Sequence, residues 1–407
     1  MKKIELLAPA GDLKRLKIAV LYGADAVYIG GKQFSLRSRA SNFSLDDIAE
    51  GVKFAAAHGS NVHVTCNILP HEDDYEGLAD YLVQLEAAGV KAIIVASLSI
   101  MQLAKQVAPK LEVHVSTQHS STNAADIAFW KDMGMDRVVM ARECSMEDIK
   151  ASAAKAELAM ECFIHGGMCI SYSGRCTLSN NMTDRDANRG GCAQSCRWKY
   201  HLWDDQHEIS PADTLFSMSS KDLCAVDYIS DLMEAGVASL KIEGRMKSSY
   251  YLACVVRCYR QLIDEIATNG KIKPERMAYY YNELAKAENR RCAIGFYAGL
   301  PKYNEHLWGV NGAGVTQEFI AYVLDYDEKS KMAKLQVRNN FSDGIKCEYF
   351  APHSDNVSFV MPLMYDEEGN RVETARNPMD ILIIKTAIKM EKHGMIRKVM
   401  SERTEIF

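Results

Sequence analysis

Asp80-Tyr-Leu-Val-Gln-Leu-Glu-Ala-Ala88 runs directly into Gly89-Val-Lys-Ala-Ile-Ile-Val-Ala96. The first part reads as a helix. Gly89 suits the left-handed residue just past a helix C-terminus, and the apolar run after it suits a parallel strand buried on both faces. The same phrase recurs as Gly23-Ala-Asp-Ala-Val-Tyr-Ile-Gly30, Gly59-Ser-Asn-Val-His-Val-Thr-Cys66, Gly134-Met-Asp-Arg-Val-Val-Met-Ala141 and Gly236-Val-Ala-Ser-Leu-Lys-Ile-Glu243. A helix ending in glycine and feeding a strand is the βα unit, and its repetition points to α/β architecture.

Strands are expected at Ile4–Ala8, Ala26–Gly30, Val62–Ile68, Ala92–Ala96, Leu111–Thr117, Arg137–Ala141, Glu157–Ile164 and Ser239–Glu243. Eight such strands in this span fit a (β/α)8 TIM-like barrel, whose usual size is roughly 250 residues. An open doubly wound sheet is the alternative, since closure is not written in a sequence. The Gly30-Gly31 pair lacks a third spaced glycine, so no dinucleotide-binding fingerprint is present. A long cysteine-rich insertion, about 166–222, precedes the last strand. Helical patterns follow at Ser249–Thr268 and Pro274–Asn289, and short alternating strands such as Met332–Val337 and Val357–Val360 after them. The expected organisation is a barrel with its insertion and trailing helices over 1–300, and a small all-β, β-barrel-like domain over 301–407.

The 407 residues carry 48 Lys+Arg against 53 Asp+Glu, a net charge of −5. No bulk positive field exists, so nucleic-acid binding would need a local patch. Met1-Lys2-Lys3-Ile4-Glu5 places an acid where an export signal needs an apolar core, and no apolar run is long enough to span a membrane. A soluble, cytoplasmic protein with reduced cysteines is expected.

Several strands carry polar residues on one face: His63, Thr65 and Asn67; His114, Ser116 and Gln118; Glu161, Phe163 and His165; Lys241, Glu243 and Arg245; Arg142 and Glu143 end another. Charge inside a barrel is costly unless paired, and most of these residues fall at strand C-terminal ends, where barrel enzymes keep their catalytic groups. A structural ion-pair network, for instance Glu161 with Arg245, is the plainer reading of the same pattern.

Four of the 12 cysteines cluster as Cys169-x6-Cys176-x15-Cys192-x3-Cys196 among glycines. Such spacing suits a 4Fe–4S cluster or structural zinc, with unligated thiols as the third reading. From Cys162 to Tyr200 five cations (Arg175, Arg185, Arg189, Arg197, Lys199) face two acids, with Trp198 and Tyr200 between them. Arginines with an exposed tryptophan are the chemistry of single-stranded RNA, whereas a solvated loop with one buried tryptophan is the plainer alternative.

Glu161, Phe163, Gly166, Met168, Cys169, Gly174, Cys176, Leu178 and Ser179 match a signature of the collagenase-like peptidase family U32, with Gly167 standing where that family more often has Ser or Ala. Glu5-Leu-Leu-Ala-Pro-Ala-Gly11 and Lys241-Ile-Glu-Gly-Arg-Met-Lys247 also resemble phrases of that family, so the likeness runs from residue 5 to about 260. Within the family the resemblance is closest to its tRNA-hydroxylating group, which forms 5-hydroxyuridine at the tRNA wobble position with prephenate as co-substrate. The resemblance implies a 4Fe–4S cluster on Cys169, Cys176, Cys192 and Cys196. On this reading the barrel mouth holds a flipped uridine and a small anionic donor. Arg142, Arg175 and Arg245 are candidates for the donor's carboxylates, with Asn67, Gln118 and His165 beside them. Glu161 or Glu243 would move protons with Lys241 tuning them, and Arg189, Arg197 and Trp198 would receive the anticodon loop. The competing reading is a peptidase, as the family's name says. It lacks a His-Glu-x-x-His helix, a Gly-x-Ser-x-Gly elbow and a recognisable nucleophile–base pair. A non-catalytic RNA-binding protein is the third reading.

Overall fold

Gly89 and Gly236 take φ of 81° and 79°, the left-handed geometry that ends one helix and turns the chain into the next strand. The computed structural model describes residues 4–36, 42–210, 215–287, 290–302, 305–307 and 318–400. Eight parallel strands form its centre: β1 (Glu5–Pro9), β2 (Ala26–Gly30), β3 (Asn61–Cys66), β4 (Ala92–Val95), β5 (Glu112–Val115), β6 (Arg137–Val139), β7 (Ala159–Gly166) and β8 (Ser239–Ile242). Each pairs with the next, and β8 pairs with both β7 and β1, which closes the barrel and excludes the open sheet. Helices on the outside start from side-chain caps, such as Asp12 before Leu13–Leu21 and the reciprocal Ser44/Asp47 box before Leu45–Ala57. Their apolar faces and the outward strand residues make one continuous core.

Two features shape the mouth. First, the β7–β8 register shifts between Lys241 and Ile242: Lys241 faces Phe163, but Ile242 faces His165, leaving Ile164 as an extra residue. Second, β7 runs on past its barrel partners. Its end pairs antiparallel with Asp222–Cys224, Gly166 opposite Leu223, and that strand pairs in turn with Cys292–Ala293. The cysteine-rich insertion therefore leaves and re-enters the barrel at one point. Between those ends lie short elements, among them a helix at Leu178–Thr183 and a hairpin of Trp203–Asp204 with His207–Glu208.

After β8 the helix Ser249–Asn269 lies against the barrel and Pro274–Ala285 follows. The C-terminal unit is an eight-stranded antiparallel sheet with its own core, in the order Val357–Val360, Lys346–Phe350, Met395–Lys398, Glu318–Asp327, Met332–Val337, Ile381–Lys385, Met364–Tyr365, Arg371–Val372. It is joined to the barrel side by Arg397, fully buried, whose guanidinium reaches Glu283 at 2.9 Å and Glu348 at 2.7 Å. Tyr250 stacks on Phe319 (centroids 5.3 Å apart) across the same interface. Among the described residues no helix is long and apolar enough to cross a membrane.

Candidate active site

Alternation sends every second strand residue into the barrel, and the inward residues stack in levels. At the lower level Arg137 pairs with Glu5 (2.5 Å) and with Glu161 (3.0 Å), and Lys241 Nζ donates to Glu161 at 2.7 Å. Burial resists ionisation of Glu161, but Lys241 and Arg137 overcome it and hold its carboxyl at about 2. His63 and His114 meet edge-to-face at 5.0 Å, and burial pushes both imidazoles below their ordinary value. This level is a closed charge network.

Above it opens a cavity of about 180 Å³. Tyr28, Thr65, Ile94, Phe163 and Lys241 form its floor, Asn67, Gln118, Arg142, Glu243 and Arg245 its sides, and Cys169, Cys176, Cys192 and Cys196 its outer rim. Arg142 lies 3.8 Å over the Phe163 ring and donates to the Gly167 carbonyl (2.7 Å) and to Glu243 (2.8 Å); among the described residues its buried Nε has no partner. Arg245 is held by Ser35 (2.9 Å) and Asn42 (2.8 Å). It lies so close to β2 that a Cβ on Gly30 would stand 1.9 Å from its Nη2, so any side chain there would have to push the guanidinium aside. Asn67 donates to Gln118 Oε1 at 3.2 Å, which orients the Gln118 amide; its Nε2 is buried and has no partner among the described residues. Lys241 stands 4.7 Å from the Tyr28 ring centre and 5.1 Å from that of Phe163, so its ammonium is fixed from below and beside.

All four cysteines of the spaced set reach one rim, and each of the other three bears electrostatically on Cys196. Burial raises the Cys169 and Cys196 thiols. The Leu178 N–H donates to Cys176 Sγ at 3.3 Å, a contact typical of cluster thiolates. Among the described residues no His, Cys, Asp or Glu side chains converge as the ligand set of a single ion would. Four soft sulfur donors on one rim are the donor chemistry that either a 4Fe–4S cluster or zinc takes.

The cavity thus gathers Asn67, Gln118, Arg142, Lys241, Glu243, Arg245 and the cysteines. Other expected residues stand elsewhere. Glu161 lies beneath the cavity as the counter-ion of Lys241 and Arg137, not of Arg245, and a carboxyl held at about 2 is ill suited to carrying protons near neutrality. His165 is turned out by the β7 bulge, and its ring meets the Tyr259 hydroxyl at 3.1 Å on the flanking helix. Arg175 stands outside the cavity lining, near His119. Arg189 is tied to Asp74. Arg197 and Trp198 line a groove on the other side of Cys192, together with Arg185 and Arg290. Arg290 was not foreseen: it is remote in sequence, and only the pairing of Asp222–Cys224 with Cys292–Ala293 brings it there.

The model of peptidase family U32 matches residues 11–307, and that of the family's C-terminal domain residues 315–397. The chain is 46% identical to tRNA hydroxylation protein P1 of Bacillus subtilis, over 98% of this chain and 95% of that one. It is 42% identical to the 23S rRNA 5-hydroxycytidine C2501 synthase of Escherichia coli, over 65% of this chain and 40% of the other. A collagenase of Porphyromonas gingivalis is 30% identical over 82% of this chain and 83% of its own length.

Proposed function

This chain belongs to peptidase family U32, and from that premise we propose that it hydroxylates RNA. The expected product is 5-hydroxyuridine at the tRNA wobble position, with prephenate as the small anionic donor. The observation that carries the reading is the cavity itself: cationic and amide donors face inward from the barrel, and four cysteines stand across from them. Relatives named for tRNA and rRNA hydroxylation support it.

In this reading Arg142 and Arg245 receive the donor's carboxylates, since guanidinium forks suit carboxylate geometry. Gln118, oriented by Asn67, offers its free amide N–H to a carbonyl edge. Lys241, anchored by Glu161, places a fixed positive charge under the bound anion. Glu243 is the carboxylate on the cavity wall placed to accept or return a proton, steadied by Arg142. Cys169, Cys176, Cys192 and Cys196 would hold a 4Fe–4S cluster, which supplies redox chemistry at the rim when bound. Among the described residues no histidine lines the cavity, so a histidine-based nucleophile–base pair is not assembled there for the peptidase chemistry in one relative's name.

Mass spectrometry of tRNA nucleosides from cells with and without the gene tests the reading. Loss of 5-hydroxyuridine and its derivatives on deletion is expected; an unchanged nucleoside profile overturns it. Anaerobically purified protein should be brown and iron-loaded, and Cys176→Ser should lose that iron. Stoichiometric zinc without iron after anaerobic reconstitution overturns the cluster assignment.

A further inference from the structure

On the outer side of Cys192 lies a second, open cavity of about 480 Å³, lined by Arg185, Arg197, Arg290, Trp198 and Ser219. It shares Cys192 and Gln194 with the central cavity. Among the described residues no carboxylate lines it. Asp222 lies behind it, fully buried and already shared between Arg290 (3.3 Å) and Lys247 (3.5 Å). The cations are under-used by the protein. Among the described residues the buried Nε of Arg185 has no partner, and Arg197 donates at 3.4 Å to Ser219 and 3.3 Å to the Met168 carbonyl. Trp198 is 43% exposed at the edge. Burial and Arg290 oppose the charge on Arg197 while the single buried Asp222 favours it, so an anion in the groove would add to what one carboxylate supplies to three guanidiniums.

We infer that this groove is a phosphodiester subsite for single-stranded RNA, holding the backbone next to the nucleotide that enters the central cavity. Guanidinium forks match phosphate oxygens, and the exposed indole face offers a platform for a neighbouring base. Two walls shared with the central cavity place that backbone directly beside it. The assignment rests on the RNA reading for its ligand and replaces Arg189, which Asp74 occupies, with Arg185 and Arg290.

The test is binding alone. Full-length, anaerobically purified protein is titrated into a labelled single-stranded RNA heptamer with a central uridine, between roughly 50 and 200 mM salt. Arg185→Glu should weaken binding about tenfold or more and make the salt slope shallower by about one to two. Trp198→Ala should weaken it about tenfold with the slope unchanged. Lys199→Ala, which removes a cation of the same segment outside the groove, should stay within about twofold, as an uninvolved surface charge would. Iron content and melting temperature of each variant are measured on the same preparation, and Arg185→Gln replaces the reversal if that variant loses iron. Affinities within about twofold of the parent for both groove variants overturn the subsite, and so does displacement of the RNA by a polyglutamate peptide as readily as by unlabelled RNA, which would mark an acidic protein partner. Failure of the nucleoside profile to change on gene deletion would overturn the hydroxylation reading while leaving these affinities to decide the groove.

Discussion

Glu161 is a carboxylate without any path to solvent, held between two cations from neighbouring strands. Replacing it with glutamine leaves Lys241 and Arg137 facing each other in a buried space, and breaking such a pair from one side costs about 3–5 kcal/mol. Urea unfolding of Glu161→Gln at neutral pH should show a loss of that size; a loss under about 1 kcal/mol would mean the network is not closed. The pH dependence has a definite sign. The folded carboxyl titrates at about 2, below its unfolded value near 4.3, so its stabilisation is full above pH ~4.3 and drains away as pH falls toward 2. Acid unfolding of the parent should steepen in that window, and Glu161→Gln should flatten it. The sequence made the inward charges legible, because a parallel strand has no other reason to alternate in this way. It did not make the partners legible. Glu161 faces Ser239 across the β7–β8 ladder, and Lys241, two residues further along, reaches back to it where Arg245 turns to Ser35 and Asn42 instead.

Elements were legible where a local rule fixed them. β2 and the starts of β4, β6 and β8 stand where the glycine-plus-strand phrase placed them, and the helices Ser249–Asn269 and Pro274–Ala285 start as expected. The bulge in β7 was not legible, because it exists only as a mismatch between two strands. One extra residue reverses the facing of all that follows, which is why His165 ended on the outer face. The contact between β2 and Arg245 belongs to the same scale. Gly30→Ala would drive a methyl into a guanidinium fixed by Ser35, Thr65 and Asn42. Overpacking of this kind costs about 1–3 kcal/mol. The variant should keep its iron, melt lower and bind prephenate more weakly by calorimetry. Unchanged prephenate affinity would remove Arg245 from the donor site.

Barrel and C-terminal sheet are coupled through charge as well as through apolar packing. Burial opposes ionisation of Glu283, but Arg397 and Lys286 hold its carboxyl at about 2, and Glu348 shares the same guanidinium. Arg397→Ala leaves Glu283 and Glu348 with Lys286 alone between them, at a cost of up to about 3–5 kcal/mol. Calorimetry should then resolve two unfolding transitions in place of one; a single transition near the parent temperature would show the units are joined by packing alone. The strand Met395–Lys398 offers the sequence no alternation to read: three of its four residues are buried, Arg397 among them. The crossing of Gly166 with Leu223 has a consequence of its own. A segment whose two ends meet is an appendage on a closed hoop, and the hoop's connectivity is indifferent to what hangs there. Different lengths and side chains can be exchanged at that seam without re-threading the barrel. The lining of the mouth can thus change while the eight-stranded ring beneath it stays as it is.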